Sequence, residues 1–326
     1  MHLPVSRNEI IEYIGQDWSR VKELMKSSLH TDVSLLDSTN DSIIGNSGKL
    51  LRPMITLLMA RACGSSTDDT LRYAAGVELL HNATLMHDDV ADESSERRGK
   101  PTVASLLGPS AAVLVGDFWL ARAVELVISS HHHDRVVKYF SKTLTDLSEG
   151  EMLQLEKASS ADTDEEAYFR IIYCKTASLF EVAAMAAADS VMASDALFEA
   201  ARVYGLNMGL AFQIKDDILD YMGTQELGKP VGIDLKEQKI TLPLLGALKD
   251  SPKEAEIRSM IRDIHGHPEY CSLVRDFVLE RGGIEYAKRR LDEFIARAVS
   301  ALDEFPESRA RLFLKELVEF NAFREV

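Results

Sequence analysis

The sequence predicts an all-α protein. Apolar residues recur at three- and four-residue steps through most of the chain, the period of a helix with one buried face. Residue pairs that cap helices stand at the head of two of these runs. Short alternating apolar runs separated by turn pairs, which a sheet requires, do not occur in series.

Taken in order, Ile10, Ile11, Ile14, Trp18, Val21, Leu24 and Met25 form one stripe, with Ser6 and Glu9 at capping-box spacing ahead of it. The segment "KLLRPMITLLMARAC" follows Gly48, and Pro53 suits a first helical turn, where a missing N–H breaks no bond. Next, "VELLHNATLM" reads as an apolar helix that runs straight into "HDDVADESSERRG". The stretch "AAVLVGDFWLARAVELVIS" is interrupted by Asp117, Arg122 and Glu125, so it is an amphipathic or buried helix and not a membrane span. Thr163 and Glu166 form a second capping box before "AYFRIIYCKTASLFEVAAMAAA". Leu197 to Tyr221 is helical again. Met222 to Lys239 carries Gly223, Gly228, Pro230 and Gly232 without an apolar period and reads as a long loop, of the kind that often forms a lid. Charged amphipathic segments follow Pro252. No linker divides the chain, which is read as one domain over residues 1–326 and one large helical bundle.

Composition narrows the function. Hydrophobic residues at 46% suffice for a sizeable core, and charged residues at 27% are ordinary for a soluble protein. Lys plus Arg number 37 against 52 Asp plus Glu, a net charge of −15, which argues against a nucleic-acid partner but leaves room for a local basic pocket. Cys63, Cys174 and Cys271 are scattered and make no C-x-x-C, so neither a disulfide framework nor a zinc site is indicated, and a reduced, cytoplasmic setting fits. The first residues show no basic segment followed by an apolar one, so no signal peptide is read.

The chemistry lies in a repeated pattern. D-D-x-x-D occurs at Asp88, Asp89 and Asp92, and again at Asp216, Asp217 and Asp220, each time at the end of an apolar helical run. On a helix, Asp88 with Asp92 and Asp216 with Asp220 share a face, and like charges at that spacing repel by a few tenths of a kcal/mol. One such set reads as a solvated helix end; two on separate helices call for a cation. Hard divalent ions take oxygen ligands, and Mg²⁺ characteristically bridges a carboxylate and a substrate phosphate. An EF-hand is excluded, because its mid-loop Gly and twelfth-position Glu are missing. Cations for phosphate bracket the two sets: Lys49 and Arg52 at a helix start, Arg97 and Arg98, Lys175, and Lys229 and Lys239 in the long loop. Taken singly, each is read as a surface charge. His81 lies two helical turns before Asp88 on the same face, either as a ligand or as a satisfied core histidine.

With these residues in view, the sequence resembles the trans-isoprenyl diphosphate synthases, the polyprenyl synthetase family. The likeness runs nearly end to end through "GKLLRP", "ELLHNATLMHDDVADESSERRGKPT", "AVLVGDFWLARA", "EGEMLQ", "KTASLF", "LAFQIKDDILDY", "GKPVGIDL" and "KITLPLL", in the family's order. The resemblance implies the isoprenoid synthase fold, an all-α bundle around a deep central cavity, as a homodimer. It implies an enzyme, a prenyltransferase that condenses isopentenyl diphosphate with an allylic diphosphate, using Mg²⁺ as three ions with substrate bound, for which Mn²⁺ can substitute. Asp88 and Asp92 would then hold Mg²⁺ against the allylic diphosphate and Asp216 the remaining ion, supported by Asp89, Asp217 and Asp220. Arg97, Lys175 and Lys229 would contact the allylic diphosphate; Lys49, Arg52, His81 and Arg98 would hold isopentenyl diphosphate. Thr176 and Gln213 would lie near the reacting carbons, and Lys239 would help close the loop. Two positions depart from the family pattern: Leu50 stands where Arg is usual, and Gln238 where Gly is usual, which puts the role of Lys239 in question.

The family places the tail channel at Ala83 and Thr84, with Leu80 and Gly76 one and two turns further back. Short-chain members carry an aromatic there; none of these four is aromatic. Moving the floor from Ala83 past Gly76 deepens a channel by roughly 10 Å, so a long product is expected, octaprenyl first, for a quinone side chain, with possible peripheral membrane contact for its release. The alternatives are that Ala83 only packs a neighbouring helix and that Trp119 or Phe118 closes the channel early, giving a farnesyl or geranylgeranyl product. A terpene cyclase would leave Lys49, Arg52 and Arg98 unexplained, and a silent regulatory subunit would be expected to lack an aspartate set.

Overall fold

The computed structural model describes residues 6–45, 48–97, 99–222 and 232–323. It is all-α apart from one small hairpin. The chain gathers into two compact units: Met1–Lys142 with Val182–Arg202 and Glu304–Leu314, and Thr143–Glu181 with Val203–Asp303 and Lys315–Val326.

The helices are α1 (Arg7–Ser28), α2 (Ser34–Gly45), α3 (Leu51–Cys63), α4 (Asp68–Ala91), α5 (Val103–Leu107), α6 (Pro109–Ile128), α7 (His133–Ser160) and α8 (Glu165–Ile172). They continue as α9 (Ser178–Ser190), α10 (Asp195–Met222), α11 (Ile233–Lys236), α12 (Leu242–Leu248), α13 (Glu254–Arg262), α14 (Tyr270–Glu280), α15 (Gly283–Ala301) and α16 (Arg309–Phe323). Strands β1 (Glu96–Arg97) and β2 (Lys100–Pro101) pair antiparallel, an exception to the all-α reading that turns the chain after α4; Gly99, at φ +72°, supplies the left-handed backbone.

In the first unit, α1 starts where predicted. Ser6 and Glu9 form a complete capping box, with the Glu9 carboxylate accepting from the Ser6 N–H at 2.7 Å. Ile10, Ile14, Trp18, Val21 and Met25 are its buried stripe. The helix kinks at Gly15, whose φ +52°, ψ −121° suits a residue without Cβ. The central element is α4, which packs along α6 and against α3 and α1. Gly76 faces α6: a Cβ there would lie 3.4 Å from the Ala123 carbonyl and from Val127 Cγ2. Helix α6 is amphipathic, as its interrupting charges implied, with Ala112, Val115, Trp119, Ala123 and Val127 inside.

The second unit packs Ile214, Ile218, Leu235, Leu242, Ile261, Val278 and Leu291 into one core. Two sequence expectations shift here. The cap of α8 is Asp164, whose carboxylate accepts from Ala167 N–H at 2.8 Å; Thr163 is buried and its carbonyl is taken by Arg258 at 3.1 Å. The helix expected to run on unbroken from there is interrupted by a π-helical turn at Tyr173–Ala177, closed by the Ser178 N–H on the Tyr173 carbonyl. Of the expected long loop, residues 223–231 lie outside the described residues; the remainder is partly helical, because α11 forms within it. Among the described residues, Glu165–Ser190 is long and apolar enough to cross a membrane, but 83% of its most apolar window is buried inside the protein.

Helix α2 is held by a polar anchor. Asn40 is its one buried residue. The Asn40 amide donates to the Leu29 carbonyl at 2.8 Å, and its Oδ1 accepts from the fully buried Trp119 indole at 2.8 Å. Asn40→Ala leaves a donor and an acceptor buried without partners, each costing about 1–3 kcal/mol. Chemical denaturation of the variant is expected to show a loss of about 2–4 kcal/mol, and a change under 1 kcal/mol would mean that α2 is held by other contacts.

Candidate active site

The first aspartate set occupies the C-terminal end of α4. Asp88 and Asp89 lie in its last turn, Asp92 is the C-cap residue, and no basic residue occupies that turn. Carboxylates there oppose the negative end of the helix dipole, at about 0.3–1 kcal/mol each. The three acids have different surroundings. Asp92 is exposed and Asp88 half-buried, on one face of the helix. Asp89 points inward at 5% exposure and accepts from Arg97 Nε at 2.7 Å. Burial raises its carboxyl above the ordinary range and Arg97 only partly offsets this. The hairpin that follows fixes Arg97 in β1. Its start is tied down where Ser94 N–H meets the Asp89 carbonyl at 2.9 Å and Thr102 Oγ1 meets the Ser94 carbonyl at 2.8 Å.

Lys49 and Arg52 flank the start of α3, Lys49 exposed and Arg52 buried at 8%. His81 is half-buried on α4, against which α3 packs. Leu50, the departure from the family pattern, is the N-cap of α3 at φ +50° and is buried at 8% exposure. An apolar side chain thus suits the place, while Lys49 on one side and Arg52 on the other keep their positions. Gly76, Leu80, Ala83 and His87 are spaced by four, three and four residues and share the stripe of α4 that meets α6; Ala83 is 1% exposed, and Thr84 lies half-buried on its flank. Trp119 is buried and bound to Asn40.

The second set ends α10. Asp216 is half-buried, and Asp220, one turn on, accepts from Ile233 N–H at 3.1 Å and Asp234 N–H at 3.3 Å, so its carboxylate starts α11. Asp217 is buried at 2% exposure. It accepts from the Tyr168 hydroxyl at 2.6 Å and from Gln213 Nε2 at 2.8 Å, and Gln213 Oε1 accepts from Thr176 Oγ1 at 2.8 Å. The π turn at Tyr173–Ala177 carries both Thr176 and Lys175, and Lys175 pairs with Glu151. Gly150 makes room for this: a Cβ there would lie 2.5 Å from Cys174 Cβ. Burial drives the Asp217 carboxyl up to about 7, the neighbouring Asp216 and Asp220 add to the rise, and the bonds from Tyr168 and Gln213 oppose it. The Asp234 carboxyl is likewise pushed well up, by burial and by the charges of Asp217 and Asp220.

Gln238 stands at φ +59°, which accounts for the glycine usual in the family. A side chain there costs roughly 1 kcal/mol, offset where Gln238 Nε2 donates to the Arg262 carbonyl at 2.8 Å and the Ile261 carbonyl at 3.3 Å, at the end of α13. Lys239 keeps its place: its N–H meets the Asp234 carbonyl at 2.8 Å and its ammonium pairs with Glu237 at 2.5 Å. Arg98 and Lys229 lie outside the described residues. Sequence reading did not assign Tyr168, Glu151, Asp234 or His87; the last three sit inside quoted motifs, whereas nothing in the sequence marks Tyr168 as a partner of Asp217.

Among the described residues, no three His, Cys, Asp or Glu side chains converge into a ready metal cage. Hard oxygen donors in pairs are what a divalent ion needs when substrate phosphate supplies other ligands, so the donor set fits. Residues 33–273 match the polyprenyl synthetase family. The octaprenyl diphosphate synthase of Haemophilus influenzae is 38% identical over 323 residues, 98% of each chain. The all-trans-nonaprenyl-diphosphate synthase (geranyl-diphosphate specific) of Rhodobacter capsulatus is 37% identical, covering 95% of this chain and 96% of its own. A polyprenyl synthase from Caulobacter crescentus, solved with calcium and isoprenyl diphosphate, superposes with a TM-score of 0.90 at 35% identity over the whole of both chains. A decaprenyl diphosphate synthase from Rhodobacter capsulatus gives 0.92 at 32%, over 98% of this chain and 100% of its own. The fold is the all-α fold of the prenyltransferases. The chain belongs to the polyprenyl synthetase family.

The buried acid gives a pH signature. With its folded value raised from 3.8 to about 7, Asp217 holds its proton in the native state where the unfolded chain has lost it. Its contribution to stability is therefore complete below about pH 4 and is lost as pH rises through about 7. The metal-free protein should lose more stability than Asp217→Asn over that interval in denaturation series; parallel curves would mean that the carboxyl titrates normally.

Proposed function

We propose that the chain is an all-trans polyprenyl diphosphate synthase of the long-chain kind, octaprenyl in the first instance, adding isopentenyl diphosphate to an allylic diphosphate for a quinone side chain. The observation that carries this is the pair of acid turns closing two apolar helices, in a chain 38% identical to octaprenyl diphosphate synthases along nearly its full length. A substrate that is half anion and half hydrocarbon accounts for both halves of that arrangement.

Asp88, Asp92 and Asp216 would hold the divalent metal, Mg²⁺ as three ions with Mn²⁺ able to replace it, which neutralises charge on the departing pyrophosphate. Arg97, anchored through Nε by Asp89, presents its guanidinium to the allylic diphosphate. Lys175 and Lys229 serve the same group, and Lys175 exchanges Glu151 for it. Lys49, Arg52, His81 and Arg98 take isopentenyl diphosphate, with Lys239 behind the loop. The hydroxyl of Thr176 spends its proton on Gln213 Oε1, and the Gln213 amide is oriented by Asp217, so both present oxygen lone pairs to a carbocation without supplying water. The double bond of isopentenyl diphosphate attacks that carbon, and the proton lost afterwards goes to pyrophosphate.

A homodimer is supported by Leu106, Leu107, Val113 and Leu114, exposed together on α5 and α6. Free cysteines and the acidic surface agree with a cytoplasmic enzyme that touches the membrane only to release product.

Purified protein given labelled isopentenyl diphosphate, an allylic starter and Mg²⁺ should make products near eight units; products no longer than geranylgeranyl would refute the long-chain reading. Asp88→Ala and Asp216→Ala should each lower turnover by about three orders of magnitude or more while the fold, followed by circular dichroism, stays intact. Near-normal rates in either variant would remove that turn from the mechanism.

Ala83→Phe tests the channel. A ring on this buried position should cut the product to about farnesyl or geranylgeranyl while condensation continues. It is also expected to cost about 1–3 kcal/mol against α6. If melting falls and product length does not change, Ala83 only packs and the tail takes another path.

A further inference from the structure

We infer that His87 is a positioning residue for the first metal-binding turn: seated in a notch that Gly116 leaves open, it pins the acid-bearing end of α4 to α6. The inference rests on the reading of Asp88 and Asp92 as metal ligands and adds a residue to it.

The steric case is direct. A Cβ on Gly116 would lie 2.4 Å from His87 Nε2, 2.7 Å from Cδ2 and 3.2 Å from Cε1. Real side chains do not approach so closely, so a methyl at residue 116 would displace the imidazole from this place. Gly116 sits inside α6, where glycine is less favourable than alanine. Its backbone needs no left-handed freedom, so the close approach of the ring accounts for it. At the far end of the same seam, the Gly76 position is looser, with its nearest neighbours at 3.4 Å. The tight end is the one that carries the acids.

The ring is also held polarly. His87 Nε2 lies 3.4 Å from the Val113 carbonyl and 3.4 Å from Asp117 Oδ1, both on α6. An Nε2–H tautomer faces two acceptors there. These bonds are long and part-exposed, so they orient the ring more than they stabilise the fold.

The turn needs such a hold. Asp88, Asp89 and the C-cap Asp92 load a helix end that has no basic residue in its last turn. The helix dipole and the like charges together favour fraying there before any metal arrives. Arg97 restrains Asp89 from one side. His87, directly before Asp88, restrains the helix from the other. An unlatched turn would have to be ordered by the metal itself, and affinity would fall by the cost of that ordering.

The test uses the full-length protein and the variants His87→Ala, His87→Gln, Gly116→Ala and the double variant His87→Ala/Gly116→Ala, with Asp88→Ala as reference. Magnesium is titrated calorimetrically in the presence of inorganic pyrophosphate, and half-saturating magnesium is measured in turnover. His87→Ala and Gly116→Ala should each weaken magnesium binding about tenfold in both measurements with little change in melting. Glutamine, whose amide nitrogen can reach the place of Nε2, should recover to within about twofold of the parent. In the double variant, the methyl on residue 116 meets no ring, so it should add nothing to His87→Ala. Unaltered magnesium binding in His87→Ala, glutamine no better than alanine, or additive effects in the double variant would each overturn the latch. If Gly116→Ala does not fold, the alanine and glutamine pair at His87 decides. Full activity in Asp88→Ala would instead refute the metal reading; loss there with a normal His87→Ala refutes the latch alone.

Discussion

Carboxylates gathered at the end of a helix repel one another and the helix's own terminal carbonyls, and the folded chain has to contain that repulsion twice. At the end of α4, the burden is shared between Arg97, which takes Asp89, and the α6 surface, which takes His87. At the end of α10, it is met by hydrogen bonds: two backbone N–H groups on Asp220, and a hydroxyl and an amide on Asp217. In each turn, one acid is turned inward and satisfied by protein, while at least one other is left part-exposed on the helix face. Local order is built from the inner acid, which leaves the outer ones for the metal of the proposed function.

The same division appears in the cations. Arg97 and Lys175 are each held by a carboxylate, Asp89 and Glu151, and so would stand in place for the proposed diphosphate. Such preorganisation lowers the ordering cost of binding. The π turn that carries Lys175 and the close passage of Gly150 behind it are local departures from regular helix, and both sit beside side chains assigned to substrate. Gln238 is another departure: a strained backbone angle repaid by bonds to the end of α13.

Much of this was legible in the sequence because its signals are local. The α1 stripe, the Ser6 box and both aspartate sets depend on spacing along one helix, and spacing is what a sequence displays. The cap at Asp164 was missed by one residue because two oxygen-bearing side chains adjoin and only the backbone turn decides between them. The π turn had no signature, since one extra residue per turn leaves composition unchanged. Tyr168 with Asp217, and Gly116 with His87, are contacts between distant segments, and neither residue type announces its partner. Gln238 was visible only as an oddity; its backbone angle supplied the reason.

On the proposed function, the acid turns are built for charge that arrives with substrate. The most direct measurement is the melting temperature of the protein across a magnesium series, with and without inorganic pyrophosphate. Ligands that bind only the folded state raise its stability by mass action. Magnesium and pyrophosphate together should raise melting well beyond the sum of their separate effects, because each completes the other's site. Magnesium alone producing the full rise would mean that the carboxylates form a self-sufficient cage, and no rise with both present would mean that the two turns do not bind a metal–diphosphate complex at all.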